Sequence, residues 1–285
     1  MPELPEVELV VRGLRHHLTG RTFTRIRVNA PAKTTVVSPS FNGKSFARLL
    51  TGRTVEGVDR RGKNILIRLS GEVTLWAHLK MTGKFRYLPK SIPTNRHDLV
   101  QFDLDTTPQT GAHLRFNDYR RFGRLRLFRD NNLWHEPGLA KLGPEPLAVS
   151  AEDFVALCRR RPRMFKPALL DQSFLAGLGN IYADEALFAA RLHPRRLTTS
   201  PTRPKLIELH GHIQRLLRKS LRLMGTTVDS YSGVNGTTGR FQSYLLVYGR
   251  EGEPCPRCGR AIVREKIGSR SAHYCPRCQR HPDRS

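Results

Sequence analysis

The sequence predicts an α+β protein in several parts: an N-terminal β-sandwich with flanking helices, a helical second half, and a cysteine-paired β-hairpin at the end. Three observations predict it. Short alternating runs broken by Gly-marked turns fill residues 21–130. Apolar spacings of three and four recur between residues 151 and 224. Cys255, Cys258, Cys275 and Cys278 form two C-x2-C pairs separated by 16 residues. At 285 residues the chain has room for about two domains, each with its own core.

The elements follow in order. Leu4, Val7, Val11, Leu14 and Leu18 make one apolar stripe, and Gly20 follows it, so a helix is predicted over 3–19. Pro2 and the early glutamates suit its first turn. Ile65, Ile67 and Leu69 alternate with Asn64, Leu66 and Arg68. Val73–Leu79, Val100–Leu104 and Leu125–Leu127 repeat that alternation as further strands. The prolines and glycines of 136–146 read as a linker. Ser150 with Asp153 marks a helix start near 151. Further helices are predicted at 167–175, 181–191 and 203–224, the last on Leu206, Leu209, Ile213, Leu216 and Leu217. Residues 226–240, rich in Gly, Thr and Ser, read as a mobile loop, and 241–281 as the hairpin module. The predicted domains are 1–135, a linker over 136–150, 151–240 and 241–285.

The formal charge is +25. Residues 1–150 hold 25 Lys and Arg against 13 Asp and Glu, and the remainder 24 against 11. Excess positive charge in both halves suits a polyanion better than a basic tail would. An anionic membrane surface would ask for similar charge, but there is no long apolar span, signal-peptide pattern or basic amphipathic anchor. A soluble, cytoplasmic protein is expected. The paired cysteines have zinc-ribbon spacing; four thiolates would close a tetrahedral site with no open position, hence one structural Zn2+. Two disulfides are the alternative, which a reducing cytosol disfavours. Cys158, on an apolar helix face, reads as a small buried residue.

The amino terminus carries the sharpest chemistry. Proline is small enough that Met1 is expected to be trimmed, leaving Pro2 as a terminal secondary amine. Such an amine titrates near ~8, so part of it is nucleophilic at neutral pH. Attack on a sugar C1′ would give an iminium that remains cationic without binding a proton and serves as an electron sink. Glu3, one residue away, is a candidate acid or base. Gly177-Leu178-Gly179-Asn180 opens a helix and reads equally well as an anion-binding turn or as a simple cap.

The string Met-Pro-Glu-Leu-Pro-Glu-Val-Glu over 1–8, the segment 169–185, and Val247-Tyr248-Gly249-Arg250 running into the cysteines together resemble the formamidopyrimidine-DNA glycosylases. The resemblance covers nearly all of 1–281 in order. It implies a helix–two-turn–helix around 169–185, a bifunctional glycosylase and lyase that excises oxidised purines, and double-stranded damaged DNA as partner of a monomer. By the resemblance Pro2 and Glu3 are catalytic and Glu6 supports them. Lys63, His78, Asn180 and Arg270 contact phosphates, with Lys166 nearby. Met81, Arg120 and Phe122 fill the void left by the expelled base, with Arg120 reading the orphaned partner; a flipped base does leave such a vacancy. Segment 226–240 falls where the family carries a loop over the flipped purine.

Three positions depart from the family's pattern: Lys80 and Met224 stand where glycine is usual, and Tyr119 where proline is usual. Two other readings compete. An endonuclease VIII-like enzyme for oxidised pyrimidines would share the amine and the zinc, but the Leu4-Pro5 start and the Arg120–Phe122 segment favour the purine branch. A catalytically silent DNA-binding protein would share the charge and the zinc ribbon, but has no need of Pro2-Glu3.

Overall fold

The computed structural model describes residues 1–29, 36–37, 45–105, 111–227 and 233–281. The chain forms two compact units, Met1–Ala140 with Leu223–Arg240, and Lys141–Arg222 with Phe241–Ser285. Segment 223–240, grouped by sequence with the helical domain, thus lies with the N-terminal unit.

In the first unit, helix α1 (Leu4–Leu18) buries its whole predicted stripe: Leu4, Val7, Val11, Leu14 and Leu18 are all at most 1% exposed. After it come β1 (Phe23–Val28), the short α2 (Phe46–Leu50), β2 (Val55–Arg61), β3 (Asn64–Leu69), β4 (Val73–His78), β5 (Lys84–Pro89), β6 (Asp98–Leu104), β7 (Ala112–Asn117) and β8 (Arg124–Arg129). They form two four-stranded antiparallel sheets, ordered β1-β6-β7-β5 and β2-β3-β4-β8. The four predicted strand runs are all strands here.

Their simple alternation is not kept. Leu66 is buried along with Ile65 and Ile67, and β4 is buried at five of six positions. Helix α1 packs on β2 and β3 and supplies part of this cover. Single-turn helices α3 (Asp130–Leu133) and α4 (Pro137–Ala140) close the unit, the second inside the predicted linker.

The second unit holds α5 (Ala151–Arg159), α6 (Phe165–Leu170), α7 (Asn180–Ala189), α8 (Arg203–Arg222) and the hairpin β9 (Val263–Ile267) and β10 (Arg270–Tyr274). Ser150 caps α5 as predicted, its Oγ accepting from Asp153 N–H at 3.0 Å. The helix predicted over 167–175 starts earlier and stops at Leu170, because Asp171 Oδ1 turns back to accept the Ser173 N–H at 2.9 Å. Helix α8 ends at Arg222, and Met224 and Gly225 then adopt φ of +62° and +79°, which no right-handed helix can contain.

Candidate active site and metal centre

Buried carboxylates organise the amino terminus. Glu3 is the N-cap of α1, in a capping box with Glu6. Its N–H donates to Glu6 Oε2 at 2.9 Å, while Glu6 Oε1 accepts the Thr226 N–H at 2.9 Å. Both glutamates are 2% exposed. Gly225 sits so close that a Cβ there would lie 3.2 Å from Glu6 Oε1. Glu6 therefore clamps the start of the chain to the base of segment 226–240. That segment is also held at its ends: Gly239 N–H donates to Thr227 Oγ1 at 2.7 Å, and Arg240 N–H to the Leu223 carbonyl at 2.9 Å. Val234 is buried beside Gly13 of α1, and its carbonyl accepts from Tyr87. Residues 228–232 of the expected loop lie outside the described residues.

Lys63 occupies the tight β2–β3 turn after Gly62, whose φ is +58°, and is 5% exposed. The turn is braced by Asn64, which donates to the Arg61 carbonyl at 2.9 Å and accepts from Trp76 Nε1 at 3.0 Å. Asn64 pairs across the sheet with His78. Burial, then the positive charges of Lys80 and Lys63, push the His78 pKa down to about 3. The ring is therefore neutral. Its Nδ1 accepts the Lys80 N–H at 3.0 Å, which leaves the hydrogen on Nε2. A neutral donor suits a phosphate oxygen.

Met81, Arg120 and Phe122, expected to act as a wedge in the vacated stack, lie on two loops with one buried organiser, Asp118, which is 0% exposed. Its Oδ1 accepts from the Thr82 hydroxyl, next to Met81, and from the Arg120 N–H at 3.1 Å. Its Oδ2 accepts the Gly123 N–H at 2.7 Å. Phe122 stays 46% exposed, with the Arg120 guanidinium 4.8 Å from its ring centre. Arg124 Nη1 donates to the carbonyls of Phe122 and Gly123 at 2.9 and 2.8 Å. Asp118 thus ties the loop that carries Arg120 and Phe122 to Thr82, the neighbour of Met81.

In the second unit, Asn180 opens α7 directly after its N-cap, Gly179. The resemblance expects Lys166 near the phosphate that Asn180 contacts. It is fully buried, with its Nζ 2.6 Å from Asp184 Oδ1 and 3.0 Å from the Asn180 carbonyl. It supports Asn180 from beneath. Asp184 Oδ2 accepts the His273 N–H at 3.0 Å, so one carboxylate ties α6 and α7 to β10. Glu185 acts alongside it, accepting backbone N–H groups from Leu246, Val247 and Tyr248 at 2.9–3.0 Å. Arg270 begins β10 at the hairpin tip and is exposed.

The four cysteine sulfurs all lie within 4.8 Å of one another, with Cys255–Cys278 at 3.9 Å and Cys258–Cys275 at 3.5 Å. Zn–S bonds of ~2.3 Å give tetrahedral edges near ~3.8 Å, so the cradle fits one zinc. The Arg257 and Cys278 N–H groups each donate to a sulfur at 3.4 Å. Cys255 and Cys275 pack on Phe188, Val247 and Ile262. Buried Gln279 joins the module to the helices, donating to the Leu192 carbonyl at 2.9 Å and accepting from Cys275 N–H at 3.0 Å.

Three family models match in sequence: the formamidopyrimidine-DNA glycosylase N-terminal domain over 1–125, its H2TH domain over 142–232, and a zinc finger found in FPG and IleRS over 252–280. The chain belongs to the formamidopyrimidine-DNA glycosylase family. A glycosylase of that name from Pelotomaculum thermopropionicum is 43% identical over 282 residues, covering 98% of this chain and 99% of its own length. A structure of MutM with DNA containing carbocyclic 8-oxo-G has a TM-score of 0.87 at 32% identity, covering 98% of this chain and 100% of its own. The Lactococcus lactis FPG bound to DNA containing an oxidised pyrimidine scores 0.86 at 34%, with the same coverage.

Within this glycosylase family frame, the departures gain a physical meaning. Lys80 has φ +53° and Met224 φ +62°. Both positions use the left-handed region that favours glycine, so this chain bears that strain next to His78 and next to the Glu6 clamp. Tyr119 is 54% exposed, with its ring 6.4 Å from that of His97. Sequence reasoning missed Asp118, Asp184, Glu185 and Gln279. Each is a polar residue with two or more backbone or side-chain partners, and a chain pattern gives no sign of such distant pairing.

Proposed function

We propose that this glycosylase removes oxidised purines, 8-oxoguanine and formamidopyrimidines, from duplex DNA, and then cleaves the strand as a lyase. Loss of Met1 exposes the Pro2 nitrogen, which attacks C1′ as the base leaves, Glu3 handling protons at the sugar. The iminium then withdraws electrons, so loss of a C2′ proton expels the 3′ phosphate. A second elimination expels the 5′ phosphate and leaves a one-nucleotide gap. The observation that carries the reading is the Glu3–Glu6–Thr226 clamp, since a nucleophile on a chain terminus must be held still to attack one atom.

Lys63, His78, Asn180 and Arg270 hold the backbone, Lys166 positions Asn180, and Met81, Arg120 and Phe122 fill the vacated stack. One monomer carries every group required, and it works in the cytoplasm where its DNA lies. The zinc holds the Arg270 hairpin and takes no part in the chemistry.

The test is excision and strand scission on matched duplexes holding 8-oxoguanine or thymine glycol. Faster release of the purine, with phosphate at both gap ends, is expected. The oxidised-pyrimidine complex of the Lactococcus lactis relative makes the second substrate a genuine competitor. Preference for thymine glycol would transfer the chain to the pyrimidine reading, and binding without scission would remove the chemistry.

A further inference from the structure

Five arginines line a concavity of about 630 Å3 at the base of the zinc hairpin: Arg191, Arg196, Arg257, Arg277 and Arg280. They come from three stretches of the chain. Arg191 follows α7 with φ +52°, Arg196 lies before α8, Arg257 and Arg277 sit on the two cysteine knuckles, and Arg280 follows Gln279. Their other bonds are to neutral groups. Arg257 donates to the Phe188 and Ala189 carbonyls at 2.7 and 3.2 Å, and Arg196 to Ser200 Oγ at 3.0 Å. Among the described residues none of the five pairs with a carboxylate.

Cys258 and Cys278 also line the concavity, so the metal centre itself is the first anion to consider. A zinc tetrathiolate carries a charge of about −2, which five guanidiniums exceed by roughly three. The surplus calls for an external polyanion. That anion is not the phosphate at Arg270. Strand β10 separates Arg270 from Cys275 by five residues, or ~17 Å at ~3.4 Å per residue. A single phosphate at Arg270 does not span that distance.

We propose that this concavity is a second DNA site. It holds the phosphate backbone of another duplex segment while Arg270 holds the first, and so allows direct passage between segments. The inference rests on DNA as partner and not on the Pro2 chemistry. Guanidinium forks match phosphodiester oxygens, and no reading of sequence is required of them.

The test uses the zinc-loaded full chain on a short, labelled, undamaged duplex. Its dissociation is followed by anisotropy as unlabelled duplex is raised. A second site makes the dissociation rate climb several-fold as competitor is raised. Arg277→Gln with Arg280→Gln flattens the climb while zinc content and first-duplex affinity hold; Arg277→Lys with Arg280→Lys retains it. A rate independent of competitor in the unaltered protein, or an equal climb in the glutamine pair, overturns the second site alone. Failure to bind the labelled duplex at all overturns the DNA reading beneath it as well.

Discussion

Lys166 and Arg270 are both basic residues assigned to DNA by resemblance, and burial separates them. Arg270 is exposed, so Arg270→Ala should reduce the slope of log affinity against log salt by about one unit with little change in stability. Lys166→Met strands the Asp184 carboxylate among buried groups, and should destabilise the protein by about 3–5 kcal/mol. Denaturant titration and a salt series on both variants separate the two roles. The His78 pKa lies at about 3 in the folded state against an ordinary 6.5. Between those values only the unfolded chain takes the proton, so stability is full above about 6.5 and falls as pH drops towards 3. His78→Gln should lessen that fall, measured by melting at stepped pH. Part remains, because burial, then the charge of His281, also lowers His193, to about 4.

At the scale of elements, the proposed wedge depends on a carboxylate that belongs to none of its three residues. Asp118→Ala leaves the Thr82 hydroxyl and two backbone N–H groups without their acceptor, at about 1–3 kcal/mol for each buried group. The predicted result is a lower melting temperature together with weaker discrimination of the base opposite the lesion. Unaltered discrimination would detach Asp118 from the wedge. Helix α1, the strands around Ile65 and Val100 and the cysteine hairpin were legible in the sequence, because each announces itself by local spacing. The early end of α6 was not, since it turns on one Asp171 side chain. The fuller burial of β3 was not, because it depends on elements packed against the sheet, α1 among them, and not on the strand's own alternation. Pro2, Glu3, Glu6 and the cysteines sit in short motifs that a sequence displays, whereas Thr226, the partner of Glu6, lies 220 residues away and gives no such sign.

For the whole molecule, charge and metal set the terms of DNA binding. The net charge of +25 is shared by both halves of the chain. If four to six phosphates are neutralised, affinity should fall with log salt at a slope of roughly −4 to −5. Chelating the zinc should loosen the cysteine module packed on Phe188 and Val247, remove the Arg270 contribution and weaken DNA binding; chelation without effect on either would reject a structural metal. The chemistry itself is tested most directly by borohydride reduction during turnover on an 8-oxoguanine duplex, followed by peptide sequencing of the trapped adduct. The account predicts a single crosslink at Pro2, on a chain that has lost Met1, and no trapping where Met1 is retained. A crosslink on a lysine side chain, or undiminished trapping by the Met1-bearing chain, would contradict it.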